Sequence, residues 1–207
     1  MKIHSRLVPL AALVFLASAC SSTQLLSTWK KPGLHAIKFD RIVVIAAAKD
    51  PATRRAVEDQ VVSRLRGPAV SSYTLAPDAP PVDEQLHALI QTGGFDGAIV
   101  MRLASIDKET EWVPGTWSGP YYGYGYGYGT MDYWGMSDPG HYETNTVLRI
   151  ETNVYELPNE QLIWAASSKT TDPKNLKQLV NETIDVVAKQ LKKEGLISEK
   201  PLATSQR

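Results

Sequence analysis

The chain has 207 residues, 43% of them hydrophobic and 21% charged, enough for one domain with a real core and too apolar for disorder to dominate. Lys plus Arg and Asp plus Glu both number 22, and so even a balance argues against a nucleic-acid partner held by counterion release. The single cysteine excludes an internal disulfide and any zinc site built on two thiolates.

Lys2 and Arg6 precede the apolar run Leu7 to Leu16, and the small residues Ala17, Ser18 and Ala19 precede the sole cysteine, Cys20. Cations, a short apolar stretch and small residues in that order make a secretory signal, because the run is far short of the roughly 20 residues that a membrane-spanning helix needs. The sequence LASAC at its end resembles a bacterial lipobox. That resemblance implies cleavage after Ala19, a diacylglycerol thioether on Cys20 and acylation, such as by palmitate, of the new amino group. Several acyl chains anchor a protein stably where one does not. Ser21 in place of Asp after the cysteine implies sorting to the outer membrane of a Gram-negative bacterium, on its periplasmic face.

Residues 20–28 read as a lipidated tether, with Ser21 to Thr28 spanning at most about 26 Å. Residues 29–198 read as one α/β domain and 199–207 as a polar tail. Ile42 to Ala48 is continuously apolar and β-branched, as a central strand covered on both faces should be. Asp50-Pro51 offers an N-cap and a first-turn proline for a helix over Pro51 to Arg66, with Gly67 closing it in a left-handed conformation. A short strand is expected near Val70 to Leu75, then a second helix from Asp83 to Thr92 closed by Gly93.

Gly97 to Ile106 reads as a third strand. Val147 to Leu157 alternates, with Leu148, Ile150, Thr152 and Val154 on one face and Arg149, Glu151, Asn153 and Tyr155 on the other, and the turn at Pro158 to Glu160 returns it as Gln161 to Ser168. Asp172-Pro173 repeats the helix-start signal, and Leu176, Leu179, Val180, Ile184, Val187 and Leu191 form an amphipathic stripe ended by Gly195. The order β-α-β-α-β-β-β-α describes a mixed sheet packed with about three helices. Trp29 and Trp164 read as buried packing residues.

This order resembles the small periplasmic domains of envelope lipoproteins, the amino-terminal part of the TolB translocation protein and the lipoprotein activators of penicillin-binding proteins. A nearer resemblance is to short outer-membrane lipoproteins of Gram-negative bacteria, a family to which no activity is assigned. It is carried by Thr28-Trp29-Lys30, by Arg41 to Ile45, by PATRRAVED from Pro51 to Asp59, and by ETNVYELPNEQLIWAASSKTTDP from Glu151 to Pro173. The resemblance implies location and fold and supplies no mechanism.

Between the third strand and the hairpin, residues Trp112 to Tyr142 hold seven of the nine tyrosines and eight of the fourteen glycines. A connection this long is uncommon unless it is functional or disordered, and a glycine at every second position makes ordering costly. If extended, it sets Tyr122, Tyr124, Tyr126 and Tyr128 on one face. Together with Trp117, Tyr121, Tyr133 and Trp134 these rings are the candidate partner-binding residues. Three readings stand side by side: a solvated low-complexity insertion; a surface for an envelope protein or a glycan; a segment at the membrane interface, in the boldest version one hairpin of a ring-shaped pore.

Chemistry is sought and mostly not found. His35, His87 and His141 are scattered, with no metal-ligand spacing. No nucleophile-elbow motif surrounds a serine and no glycine-rich phosphate loop precedes a helix. Glu109 and Glu111 share one face of a strand, a weak signal for acid–base work. Arg54 and Arg55 break a local rule, since cations in a first helical turn oppose the helix dipole; pairing with Glu58 and Asp59 is one account and a surface patch for a partner is the other. The expectation is a non-enzymatic envelope binding or assembly module, without metal or cofactor beyond the covalent lipid. An enzyme acting on peptidoglycan or another glycan and a subunit of an oligomeric pore are the alternatives. Oligomeric state is left open.

Overall fold

The computed structural model describes residues 23–65, 67–77, 80, 83–115, 140–157 and 159–197. In chain order the elements are β1 (Thr23–Lys30), β2 (Ile42–Ala46), α1 (Pro51–Arg64), β3 (Ala69–Ser71), α2 (Ser72–Leu75), α3 (Glu84–Thr92), β4 (Gly97–Val113), β5 (His141–Glu156), β6 (Gln161–Thr171) and α4 (Leu176–Lys193). The strands form one mixed sheet in the order β1-β6-β5-β4-β2-β3. β2 is parallel to β3 and β4, and the remaining neighbours are antiparallel. The expected mixed α/β architecture is therefore present, with one more strand and one more helix than the sequence suggested.

Adjacent residues of β2 show how the layers are made. Val44 packs with Val57 and Val61 of α1 and with Leu179 and Val180 of α4, whereas Val43 packs with Leu86 and Ile90 of α3. Side chains alternate across a strand, so α1 and α4 cover one face and α2 and α3 cover part of the other. On the α1/α4 face a further cluster joins Trp164, Val154 and Ala166 to Leu196, with Leu34, Ile37 and Phe39 of the β1–β2 connection around it. Trp164 is fully buried, as expected, and its indole N–H donates to Glu194 at 3.1 Å.

Local signals explain most boundaries. Asp50 caps α1 by accepting from the Thr53 N–H at 2.7 Å, with Pro51 in the first turn. The stripe on α4 faces the sheet, and Gly195 takes φ 73° just after the helix, as expected.

Several expectations are corrected. Residues 23–28 are not a free tether, because they belong to edge strand β1, whose bulge at Leu25 to Ser27 breaks the alternation and leaves Leu26 in solvent. Trp29, on that strand, is 47% exposed rather than buried. β2 has only β3 between it and the sheet edge, so it is not central. The stretch Val70 to Leu75 is strand only to Ser71 and then a single helical turn. Gly67 does not close α1 in a left-handed conformation: it precedes Pro68, which disfavours helical backbone, and the helix ends with Leu65 extended. Asp172 does not cap α4. It sits at φ 45° with its carboxylate accepting from the Thr146 N–H at 2.7 Å, and Asn175 caps the helix through the Gln178 N–H at 2.8 Å.

Candidate functional site

The third strand and the hairpin run much further than their apolar patterns. β4 and β5 pair from Gly97 with Glu156 out to Val113 with His141. β2 accompanies β4 only to Met101, and β6 accompanies β5 only to Val147. Beyond those points the two strands continue as a ribbon that no other described strand flanks. At about 3.4 Å per residue, Ile106 to Val113 carries this arm roughly 24 Å past the body of the sheet. Trp112, Val113, His141 and Tyr142, read from sequence as part of the long loop, are thus strand, and β4 and β5 run on through 107–111 and 143–146 beyond the spans read for them.

Cross-strand pairs hold the arm together. The register shift between Leu103 and Ser105 resets which side chains share a face. On the face away from α1 and α4, Lys169 Nζ meets Glu109 Oε2 at 2.5 Å and Arg149 Nη2 meets Glu109 Oε1 at 3.0 Å, while Arg149 also pairs with Asp107. Arg102 pairs with Glu151 nearby on that face, at 2.6 Å. On the opposite face the Thr110 and Thr144 hydroxyls are 3.0 Å apart, and beyond them Trp112 and Tyr142 meet edge to face with ring centroids 4.8 Å apart. Gly140 allows this contact: it has φ 78°, and a Cβ there would stand 2.6 Å from the Trp112 ring.

The arm therefore has two unlike sides. One carries Leu103, Ile106, Thr110, Trp112 and Tyr142, with Lys108 the one charge among the described residues of that side beyond the bulge. Ile106 is 62% exposed, Trp112 52% and Tyr142 72%, a row of apolar groups left in solvent. The other side carries Asp107, Glu109 and Glu111 on β4 and Glu143 opposite Glu111 on β5. The Lys169 ammonium beside Glu109, helped by Arg149, holds its carboxyl below the usual carboxylate range, although partial desolvation pulls the other way. A carboxylate kept ionised in this way is poorly placed to hold and release a proton near neutral pH.

Of the sequence candidates, Cys20, Trp117, Tyr121, Tyr122, Tyr124, Tyr126, Tyr128, Tyr133 and Trp134 lie outside the described residues. Trp112 and Tyr142, each one residue inside the end of the strand leading into or out of that stretch, were not among the candidates. Their signal was the period-two pattern from Ile106 to Trp112, in which Ile106, Lys108, Thr110 and Trp112 alternate with acids.

Arg54 and Arg55 do not form one patch. Arg54 is 4% exposed, with Nε 3.0 Å from Glu58 Oε1 and Nη2 2.8 Å from the Ser72 hydroxyl. Glu58, fully buried, also accepts from the Ala46 N–H at 3.0 Å, the Ser72 hydroxyl at 2.7 Å and the Tyr73 N–H at 2.9 Å. This network ties α1 to β2 and α2, which accounts for a cation in the first turn of a helix. Arg55 stays outside, with its guanidinium 5.5 Å from the Tyr73 ring centroid. The Tyr73 hydroxyl donates to Asp59, which raises its pKa above the ordinary phenol value.

A shallow cleft of about 440 Å³ opens beside the root of the arm, lined by Thr146, Leu148, Asp172, Asn175 and Leu176 among others. Among the described residues no three His, Cys, Asp or Glu side chains gather closely enough to hold a metal ion, and no helix is long and apolar enough to cross a membrane.

Neither a protein family nor a curated protein matches the sequence. Among solved structures the fold is similar to a PelC dodecamer from Paraburkholderia phytofirmans, with a TM-score of 0.44 and 9% identity over 85% of this chain and 99% of that one. It is also similar to the lipoprotein GNA1162 from Neisseria meningitidis, with a TM-score of 0.39 and 11% identity over 74% of this chain and 98% of that one. Likeness at this level assigns no activity.

Proposed function

We propose that the chain is an outer-membrane lipoprotein, anchored through Cys20, that serves on the periplasmic side as a non-enzymatic binding or assembly module. It meets an envelope protein or a glycan through the aromatic stretch between β4 and β5. The LASAC sequence supports the location. The observation that carries the mode of action is the arm: a domain that merely connected two strands would turn near Ile106, whereas this one spends two further strand segments to move the connection away from its body. Large aromatic rings on such a projection offer contact area at low side-chain entropy.

The test is affinity capture from envelope extracts by the intact lipoprotein and by a variant lacking Pro120 to Asp132, with a photoreactive group at Tyr124 to trap direct contacts. The reading expects partners that the deletion loses. Identical partner sets, with no crosslink from position 124, would contradict it.

A further inference from the structure

The chain enters the sheet at the end from which the arm leaves. Thr23 pairs with Thr170, Thr170 with Leu148 and Leu148 with Ile106, so one row across four strands joins the first described residue to the arm's root. β1 runs inward from that row and β4 runs outward past it. From this common level the chain back to Cys20 spans at most about 11 Å, and the arm reaches roughly 24 Å. The arm is therefore longer than the leash.

We propose, on the footing that Cys20 carries the lipid anchor, that this end of the molecule faces the bilayer and that Trp112 and Tyr142 rest at the boundary between headgroups and acyl chains. An anchored cysteine lies at the membrane surface. With the strands upright on that surface, a leash of about 11 Å cannot hold the sheet far enough away for an arm of roughly 24 Å to clear it, so the tip touches lipid.

The side chains suit that position. The face with Ile106, Trp112 and Tyr142 is apolar and exposed, and Trp and Tyr favour the interface because their rings are apolar at one end and polar at the other. Lys108 on that face can reach anionic headgroups. Asp107, Glu109, Glu111 and Glu143 line the other face and stay in water. Depth is limited by the backbone. β4 beyond Met101 and β5 before Val147 lack a strand neighbour on their outer edges among the described residues, and unpaired amides and carbonyls do not enter hydrocarbon. The tip stops at the interface.

The test uses the full-length lipoprotein in vesicles of phosphatidylethanolamine and phosphatidylglycerol. Acylation blocks the sulfur of Cys20, the sole cysteine, so Tyr142→Cys and Lys193→Cys can each be labelled with an environment-sensitive nitrobenzoxadiazole probe. Tyr142 and Lys193 are exposed, and position 193 closes α4 near Leu196 and Ile37, at the opposite end of the sheet. The expected result is a blue-shifted probe at 142, quenched several-fold more by lipid carrying a nitroxide near the glycerol than the probe at 193. An Ile106→Cys probe is expected in between. A probe at 142 as wet as that at 193 overturns the proposal. A dry probe at 142 that nitroxide lipid leaves unquenched overturns it too, in favour of a protein cover. Labelling of the wild-type chain at Cys20 would remove the anchor itself, and the proposal with it, and is read separately from the behaviour of position 142.

Discussion

Glu58 gives the sharpest stability prediction. Its carboxylate is fully buried and accepts from Arg54, the Ser72 hydroxyl and the N–H groups of Ala46 and Tyr73, so Glu58→Ala orphans two backbone donors and breaks the buried Arg54–Glu58 ion pair. Removing one partner of a buried ion pair costs about 3–5 kcal/mol, and each stranded donor adds about 1–3 kcal/mol less whatever water recovers. The loss for Glu58→Ala should thus lie at or above about 4 kcal/mol. Arg54→Ala should cost less, about 3 kcal/mol, because Glu58 keeps its two backbone donors and Ser72. Urea unfolding followed by far-ultraviolet circular dichroism measures both, with an unchanged slope required before midpoints are compared. A Glu58→Ala loss under about 1 kcal/mol, or one smaller than that of Arg54→Ala, would refute the reasoning.

Three further outcomes are expected. Trp164→Ala should cost about 3–5 kcal/mol and Trp29→Ala under about 0.5 kcal/mol, a contrast that equilibrium unfolding reads directly, since one indole is fully buried and the other half in solvent. Gly140→Ala should loosen the tip of the arm without moving the global midpoint, because the added methyl meets Trp112 and the backbone must hold φ 78°; faster amide exchange confined to the ends of β4 and β5 is the readout. Glu109 should make stability pH-dependent. Its pKa is lower folded than unfolded, so its contribution is complete above the ordinary glutamate range and is lost as pH falls through the depressed value. Wild type should exceed Glu109→Gln in stability at neutral pH and converge on it only once the pH falls below the depressed value, and a gap independent of pH would contradict this.

What the sequence made legible was whatever one buried face dictates. Leu148, Ile150, Thr152 and Val154 alternate because α1 and α4 cover one side of β5, and the α4 stripe is the reciprocal of that contact. Asp50-Pro51 announced α1 by chemistry local to one turn. The length of the arm was hidden for the converse reason: with solvent on both faces, Asp107 to Glu111 has no core to alternate against, and charge holds it where burial usually would. β1 was hidden by a bulge that puts Leu25 inward and Leu26 outward. The pairing of Arg54 with Glu58 was legible from their spacing but its burial was not, because the groups that complete the network, the Ser72 hydroxyl and the Ala46 and Tyr73 N–H groups, come from other elements. The asymmetry of Trp29 and Trp164, alike in sequence, follows from strand position: β6 lies between β1 and β5, whereas β1 is at the edge.

The location, the orientation and the use of the arm all depend on the sulfur of Cys20. Intact-mass and peptide mass spectrometry of the native protein measures its state directly. The account predicts a chain that begins at Cys20 and carries a diacylglycerol thioether and an acylated amino group; a free thiol there, or residues 1–19 still attached, would contradict it.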